Sequence, residues 1–299
     1  MIVEFEIEET NLNRGQKKEA IAKLKNRLVS TGAKNIEVLK EEGQKVMFSY
    51  QQTIEPETLK RNFAVTGKLE FFEVVTDREI VIEYLLKEDE AKKNDTLMVG
   101  LEEDVNKVVA DYLTGFLSVM RLNHRTDSAI ATIDVEDEEH LKPLLEKEPE
   151  YIPELKRRIK FLLGRSHKEN EFALYAVYVT SENKAPLDGN SIVHAAADYG
   201  QIQGMFVINL EMNKEGALTW ERLTEKVYHD RGFIAITLDD FIYSAPSVTT
   251  GKIVGGKTQI SGAFSKEEAE EIAAIIGSGT IPKVKITKMM FAEESNNEK

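Results

Sequence analysis

Apolar and acidic residues alternate almost from the first position, and Ile2, Phe5 and Ile7 predict a strand. The period then changes to that of a helix. Ala20, Ile21, Leu24 and Leu28 recur on one face, and Gly32 stops the run. Two extended stretches, 34–39 and 45–50, flank the turn Glu42-Gly43. Pro56 opens a short helix that reaches Phe63, where its missing N–H costs nothing. A further strand is predicted over 66–74, so residues 1–74 read β-α-β-β-α-β.

The closing residues repeat this grammar. Ser265 and Glu268 have the spacing of a capping box, Ala269, Ile272, Ala273 and Ile276 line a buried face, and Gly277 ends the helix. Pro282 introduces a strand over 284–287, which should join the sheet formed by residues 1–74. Between the halves lies a long excursion. Residues 76–170 read as helical and charged: E-I-V-I-E-Y-L-L-K-E-D-E-A-K-K (79–93), V-N-K-V-V-A-D-Y-L-T-G-F-L-S-V-M (105–120) and E-L-K-R-R-I-K-F-L-L-G (154–164). One strand-like run, 129–135, interrupts them. Residues 172–262 return to β-α-β, with strands over 174–179, 205–212 and 233–238. Their helix carries Trp220, Leu223, Thr224 and Val227 on one face.

Composition narrows the classes. Hydrophobic residues make up 41% and charged residues 30%, as in a globular protein. No window approaches the run of about 18 apolar residues that a membrane helix needs, and the N-terminus lacks the basic and apolar parts of a signal peptide. A strand this close to Met1 fits a fragment of a longer chain. The absence of cysteine excludes disulfides, thiolate metal sites and cysteine nucleophiles. A net charge of −13 argues against a nucleic-acid partner and favours solubility or basic, unfolded polypeptide.

Chemical motifs are present as text. Gly251-x-x-x-x-Gly256-Lys257-Thr258 matches a phosphate loop, and the strand before it ends in Asp239 and Asp240. A phosphate loop must open a helix, however, whereas Thr258 is followed by an alternating, strand-like run and the next helix starts only at Ser265. Gly255-Gly256 reads instead as a hairpin turn. Asp239 and Asp240, adjacent on a strand, point to opposite faces and make no carboxylate pair; Asp240 is expected to accept turn hydrogen bonds. Ser181 and Lys184 fit S-x-x-K but sit in a polar loop rather than a helix start. His124, His140, His167, His194 and His229 show no metal-ligand spacing. No catalytic residue, metal site or cofactor is expected.

Six segments carry a family resemblance: T-G-K-L-E-F-F-E-V (66–74), A-P-L-D-G-N-S-I (185–192), N-L-E-M-N-K-E-G-A (209–217), L-D-D-F-I-Y-S-A-P-S-V (238–248), G-G-K-T-Q-I-S-G-A-F (255–264) and K-E-E-A-E-E-I-A-A-I-I-G-S-G-T-I-P (266–282). Together they resemble the first large periplasmic domain of the SecD/SecDF protein-export family, most of all its fused SecD–SecF form. Nothing is carried over onto 76–170. The resemblance implies an α+β fold in which a ferredoxin-like base, 1–75 and 263–291, is interrupted by a helical insertion (76–171) and an α+β head (172–262), with a frayed tail at 292–299. It implies attachment to the membrane, unfolded preprotein as substrate, and SecF and the SecYEG channel as partners. Energy conversion would belong to membrane helices outside this chain. Phe241 and Tyr243, expected at the tip of a head hairpin, together with Phe206 and Phe233, are the candidate preprotein contacts. The two crossings between base and excursion, at Val74 and Val75 and at Gly262, Ala263 and Phe264, are the candidate hinge. A nucleotide hydrolase using Lys257 and a rigid scaffold for Sec partners are the alternatives.

Overall fold

The computed structural model describes residues 1–51, 54–90, 119–122, 128–201 and 204–290. The chain forms two compact units, Met1–Leu69 with Asp188–Leu218 and Val254–Lys299, and Glu70–Leu187 with Thr219–Ile253.

In the first unit, β1 (Ile2–Ile7), α1 (Arg14–Ser30), β2 (Lys34–Glu42), β3 (Lys45–Gln51) and α2 (Pro56–Ala64) follow one another as the hydrophobic pattern predicts. The fourth strand of their sheet is β16 (Val284–Met290), giving the antiparallel order β16-β1-β3-β2. Ile2 faces Met290 and Ile7 faces Val284, so the expected pairing of the chain's two ends is present. Asn13 caps α1, accepting from the N–H groups of Gly15 and Gln16, while the Gln16 side chain accepts from the Asn13 N–H. Gly32 ends that helix at φ +103°. Val3, Phe5, Ile7, Leu24, Leu28, Phe48 and Leu59 fill the core, with the Phe5 and Phe63 rings 4.5 Å apart.

The same unit holds a three-stranded antiparallel sheet, β11 (Ile192–Tyr199), β12 (Phe206–Met212) and β15 (Lys257–Phe264), in the order β11-β12-β15. Helix α6 (Lys266–Gly277) packs on β11, burying Ala269, Ile272, Ala273, Ile275 and Ile276. The Ser265 hydroxyl caps it by accepting from the Glu268 N–H. Gly279, at φ +75°, rather than Gly277, takes the left-handed position after this helix.

The second unit is built on a mixed sheet of nine strands, running β4 (Leu69–Val74), β13 (Ile234–Leu238), β14 (Phe241–Ser244), β8 (Arg157–Arg165), β9 (Glu171–Val179), β6 (Ala131–Asp134) and β5 (Arg121–Leu122), with β7 (Glu150–Ile152) and β10 (Leu187–Asp188) added. Helices α3 (Arg78–Glu90) and α4 (Glu138–Leu145) contribute Val81, Leu85, Leu141 and Leu144 to a core that includes Leu174 and Ala176 of β9. The alternate residues Ala173, Tyr175 and Val177 enter a second core. Helix α5 (Lys214–His229) buries Trp220, Leu223, Thr224 and Val227, the face its sequence marks.

Three expectations are corrected. The run over 66–74 forms β4 in the nine-stranded sheet, not the sheet of β1: all six residues of this strand are buried, and a sheet with one wet face has no place for it. The E-L-K-R-R-I-K-F-L-L-G segment is not helix but the central strand β8, whose near-continuous apolar run has no period to distinguish the two states. Gly255 and Gly256 do have positive φ, +83° and +65°, but they make no hairpin. The strand before them, β14, pairs with β13 and β8, while β15 pairs with β12. The predicted helix over 105–120 lies almost wholly outside the described residues, as does the tail at 292–299.

Candidate functional site

The four aromatic candidates occupy three settings. Asp239 and Asp240, at φ +52° and +64°, form a two-residue turn between β13 and β14, with Leu238 facing Phe241. They sit on the turn, not on a strand, and the Asp240 carboxylate lies 2.6 Å from the Lys160 Nζ. Phe241 thus stands directly after the hairpin turn and Tyr243 two residues further along β14, a strand flanked by β13 on one side and β8 on the other. Both are half-buried. Their rings meet edge to face at 5.7 Å, Phe172 lies 5.6 Å from Phe241, and the Arg165 guanidinium stands 4.7 Å over Tyr243. Phe233 packs against the core holding Ala235 and Ile242. Phe206, in the first unit, lies 4.8 Å from the ring of Tyr199, which is 76% exposed. Tyr199 escaped the sequence reading because A-A-A-D-Y-G has too little periodicity to mark β11.

The hinge candidates lie in hydrogen-bonded backbone. The Val74 N–H donates to the Phe233 carbonyl and the Val75 N–H to that of Ala176, and both side chains are buried. Gly262, Ala263 and Phe264 end β15. Phe206 pairs with Phe264 and Val207 with Ser261, so Gly262 and Ala263 form a bulge. Gly262 does not use a left-handed φ. A Cβ there would instead stand 2.8 Å from the ring of Phe264, which is buried.

The motif residues are held by other bonds. Lys257 and Thr258 open β15 rather than a helix, and the Lys257 Nζ is 2.7 Å from Glu211, whose carboxyl it keeps below its usual range. Among the described residues no helix opens at Lys257-Thr258, so the phosphate-loop geometry is missing. Ser181 lies in a turn, where the Lys184 ammonium is paired with Glu182 at 2.9 Å. His140 approaches Asp137 at 3.7 Å, His194 stands on β11, and His124 lies outside the described residues. Among the described residues no cluster suited to a metal ion occurs, and no helix is long and apolar enough to cross a membrane.

Two charge clusters, each centred on a buried residue, were not foreseen from the sequence. In the second unit, Glu73 on β4 accepts from Arg157 at 2.7 Å and from Lys226 at 2.6 Å. The Arg157 guanidinium lies 3.5 Å over the Tyr178 ring, and burial pushes the Tyr178 hydroxyl up to about 12. In the first unit, fully buried Arg27 donates to the carbonyls of Asn62, Val65, Thr66 and Gly279 and to the Ser278 hydroxyl.

Comparison with known proteins places this geometry. Residues 166–283 match the family described as SecDF, P1 head subdomain. The chain is 31% identical over 100 residues to protein translocase subunit SecD of Endomicrobium trichonymphae, covering 33% of this chain and 21% of that protein. It is 38% identical over 96 residues to the SecD subunit of Petrotoga mobilis, 32% of this chain and 20% of that one. The matched stretch is thus about a fifth of these relatives' length. A solved structure of SecDF, reported as a membrane component that enhances protein export, superposes with a TM-score of 0.54 at 20% identity, covering 98% of this chain and all of that one. A second, of SecDF in a super-membrane-facing form, gives 0.53 at 21%, covering 96% and 29%. Residues 166–283 thus match the P1 head subdomain of SecDF, the chain as a whole shares the SecDF fold, and together with the SecD relatives these likenesses support a SecD/SecDF periplasmic domain.

Proposed function

We propose that this domain serves a Sec translocon accessory subunit, binding emerging preprotein and assisting its outward movement at the extracytoplasmic face of the membrane. The observation that carries the reading is the P1 head match over 166–283. In the whole protein, motion of the head against the base is coupled to the proton gradient by membrane helices outside this chain, with SecF and the SecYEG channel as partners. The domain itself performs no chemistry. Phe241, Tyr243, Phe233 and Phe206 supply half-buried aromatic surface, which suits contact with polypeptide of many sequences. Bending is assigned to Val74 and Val75 and to Gly262, Ala263 and Phe264, where the bulge already interrupts the ladder.

The test is fluorescence anisotropy with a labelled polypeptide kept unfolded by reduction and carboxymethylation, compared with the same polypeptide folded. Saturable binding of the unfolded form is expected, weakened by the double change Phe241→Ser, Tyr243→Ser. Equal or absent binding of both forms would favour the scaffold reading. Saturable Mg-ATP binding lost in Lys257→Ala would favour the nucleotide hydrolase.

A further inference from the structure

The two outer edges of the three-stranded sheet differ. The Gly200 N–H donates to the Met205 carbonyl at 2.8 Å, and the Met212 N–H to the Gly256 carbonyl at 2.8 Å. Hydrogen-bonded and non-hydrogen-bonded pairs alternate along an antiparallel ladder. With Asp198 opposite Val207 and Ile260 opposite Ile208, these two bonds set the phase of all three strands. On β11, the N–H and C=O groups of Ala195, Ala197 and Tyr199 face outward. On β15, those of Lys257, Gln259 and Ser261 do.

The β11 edge is closed. The Tyr199 N–H donates to the Asp198 carboxylate at 2.7 Å, and Gly277 at the end of α6 lies so near Ala195 that a Cβ there would touch its carbonyl at 3.8 Å. The β15 edge is open. Lys257, Gln259 and Ser261 are all exposed, and among the described residues no hydrogen bond to their main-chain N–H groups is found. The side chains that could shield this edge are drawn inward over the sheet. Gln259 donates to the Asn209 side chain at 2.9 Å, and Lys257, the kind of residue that normally keeps an edge from pairing, is bound to Glu211. Buried Ile260 fixes the strand to the core beneath.

We infer that the outer edge of β15, from Lys257 to Ser261, is a docking strand for an extended, basic segment of unfolded polypeptide, which adds to the sheet as a fourth strand. Recognition through the main chain gives affinity without demanding a sequence, and the net charge of −13 favours a basic occupant over an acidic one. The inference rests on the preprotein-binding reading and gives it a second surface, apart from Phe241 and Tyr243.

The probe is a fluorescein-labelled ten-residue peptide of alternating valine and threonine with lysines at both ends, titrated into the 299-residue chain. An acidic peptide of the same pattern is the comparison. Amide-resolved hydrogen exchange should show the N–H groups of Lys257, Gln259 and Ser261 exchanging fast in the free chain and slowly with the basic peptide, while that of Ile260 stays slow in both. Gln259→Pro removes an outward donor and no main-chain bond to β12, losing only the exposed side-chain bond to Asn209, so it should fold and weaken the peptide by about tenfold, the worth of roughly one hydrogen bond. Should that variant misfold, the exchange pattern of the unchanged chain decides alone. Peptide binding without protection of these three amides, or equal binding of the acidic peptide, overturns the inference. So does protection in the free chain that grows with its concentration, which would mean a second copy occupies the edge. If the unfolded polypeptide still binds to Gln259→Pro as tightly as before, the edge is wrong and preprotein binding stands. If it never binds, both fall.

Discussion

Arg27 joins four carbonyls and a hydroxyl from segments far apart in sequence, and Gly67 makes room for it: a Cβ on Gly67, whose φ is +79°, would lie 2.5 Å from its Nη2. Arg27→Met should take a donor from each of these acceptors and cost about 3 kcal/mol or more, read from urea unfolding. Gly67→Ala should lower stability as well, through contact and φ together. Gly262→Ala is a gentler case, since the Phe264 ring must give way and the backbone need not, and a fall in Tm without loss of fold is expected. Tyr50 and Tyr178 set the alkaline limit. Burial pushes both hydroxyls up to about 12 from an ordinary value near 10. The unfolded chain therefore releases these protons first, and the stability they contribute is whole below pH 10 and lost as pH rises through 12. Thermal melts across pH 8 to 12 should show that decline, and Tyr178→Phe should reduce it.

At the scale of elements, the parallel contact of β8 with β14 depends on Gly164, where a Cβ would stand 2.6 Å from Ile242 Cβ and 2.7 Å from its carbonyl oxygen. Gly164→Ala should drive β14 from β8 and with it disturb Phe241 and Tyr243. The check is loss of protection at the β14 amides, while those of β1 and β3 keep theirs. Elements with one wet face were legible from the sequence. The stripe of α1, the capping serine of α6 and the buried side of α5 all stand where their period puts them. Among strands buried on both faces, β4, β9 and β13 were read from their apolar runs, but β8 was taken for helix, because consecutive apolar residues leave no rhythm to tell the two states apart. Asp239-Asp240 marks the turn beside Phe241, but nothing local announces that β8 will lie on the other side of β14. The charge clusters around Arg27 and Glu73 depend on residues distant in sequence, and no spacing rule reaches that far.

For the whole molecule, the pairing of β1 with β16 sets both how it folds and how it responds to load. Contacts between opposite ends of a chain form late and slow folding. Removing residues 284–299 should strip β1 of one neighbour and expose Phe5 and Ile7, so that the first unit loses its cooperative urea transition. Because β1 and β16 run antiparallel, Ile2 lies beside Met290, and whatever is attached at the two ends departs from the same rim of the sheet. Tension drawn between those attachments would part the two strands one rung at a time, the weakest way to load a ladder. A pull shared equally by both would leave the rungs unstressed. This is the geometry of a suitcase handle: it holds when lifted by both posts together and peels when the posts are drawn apart.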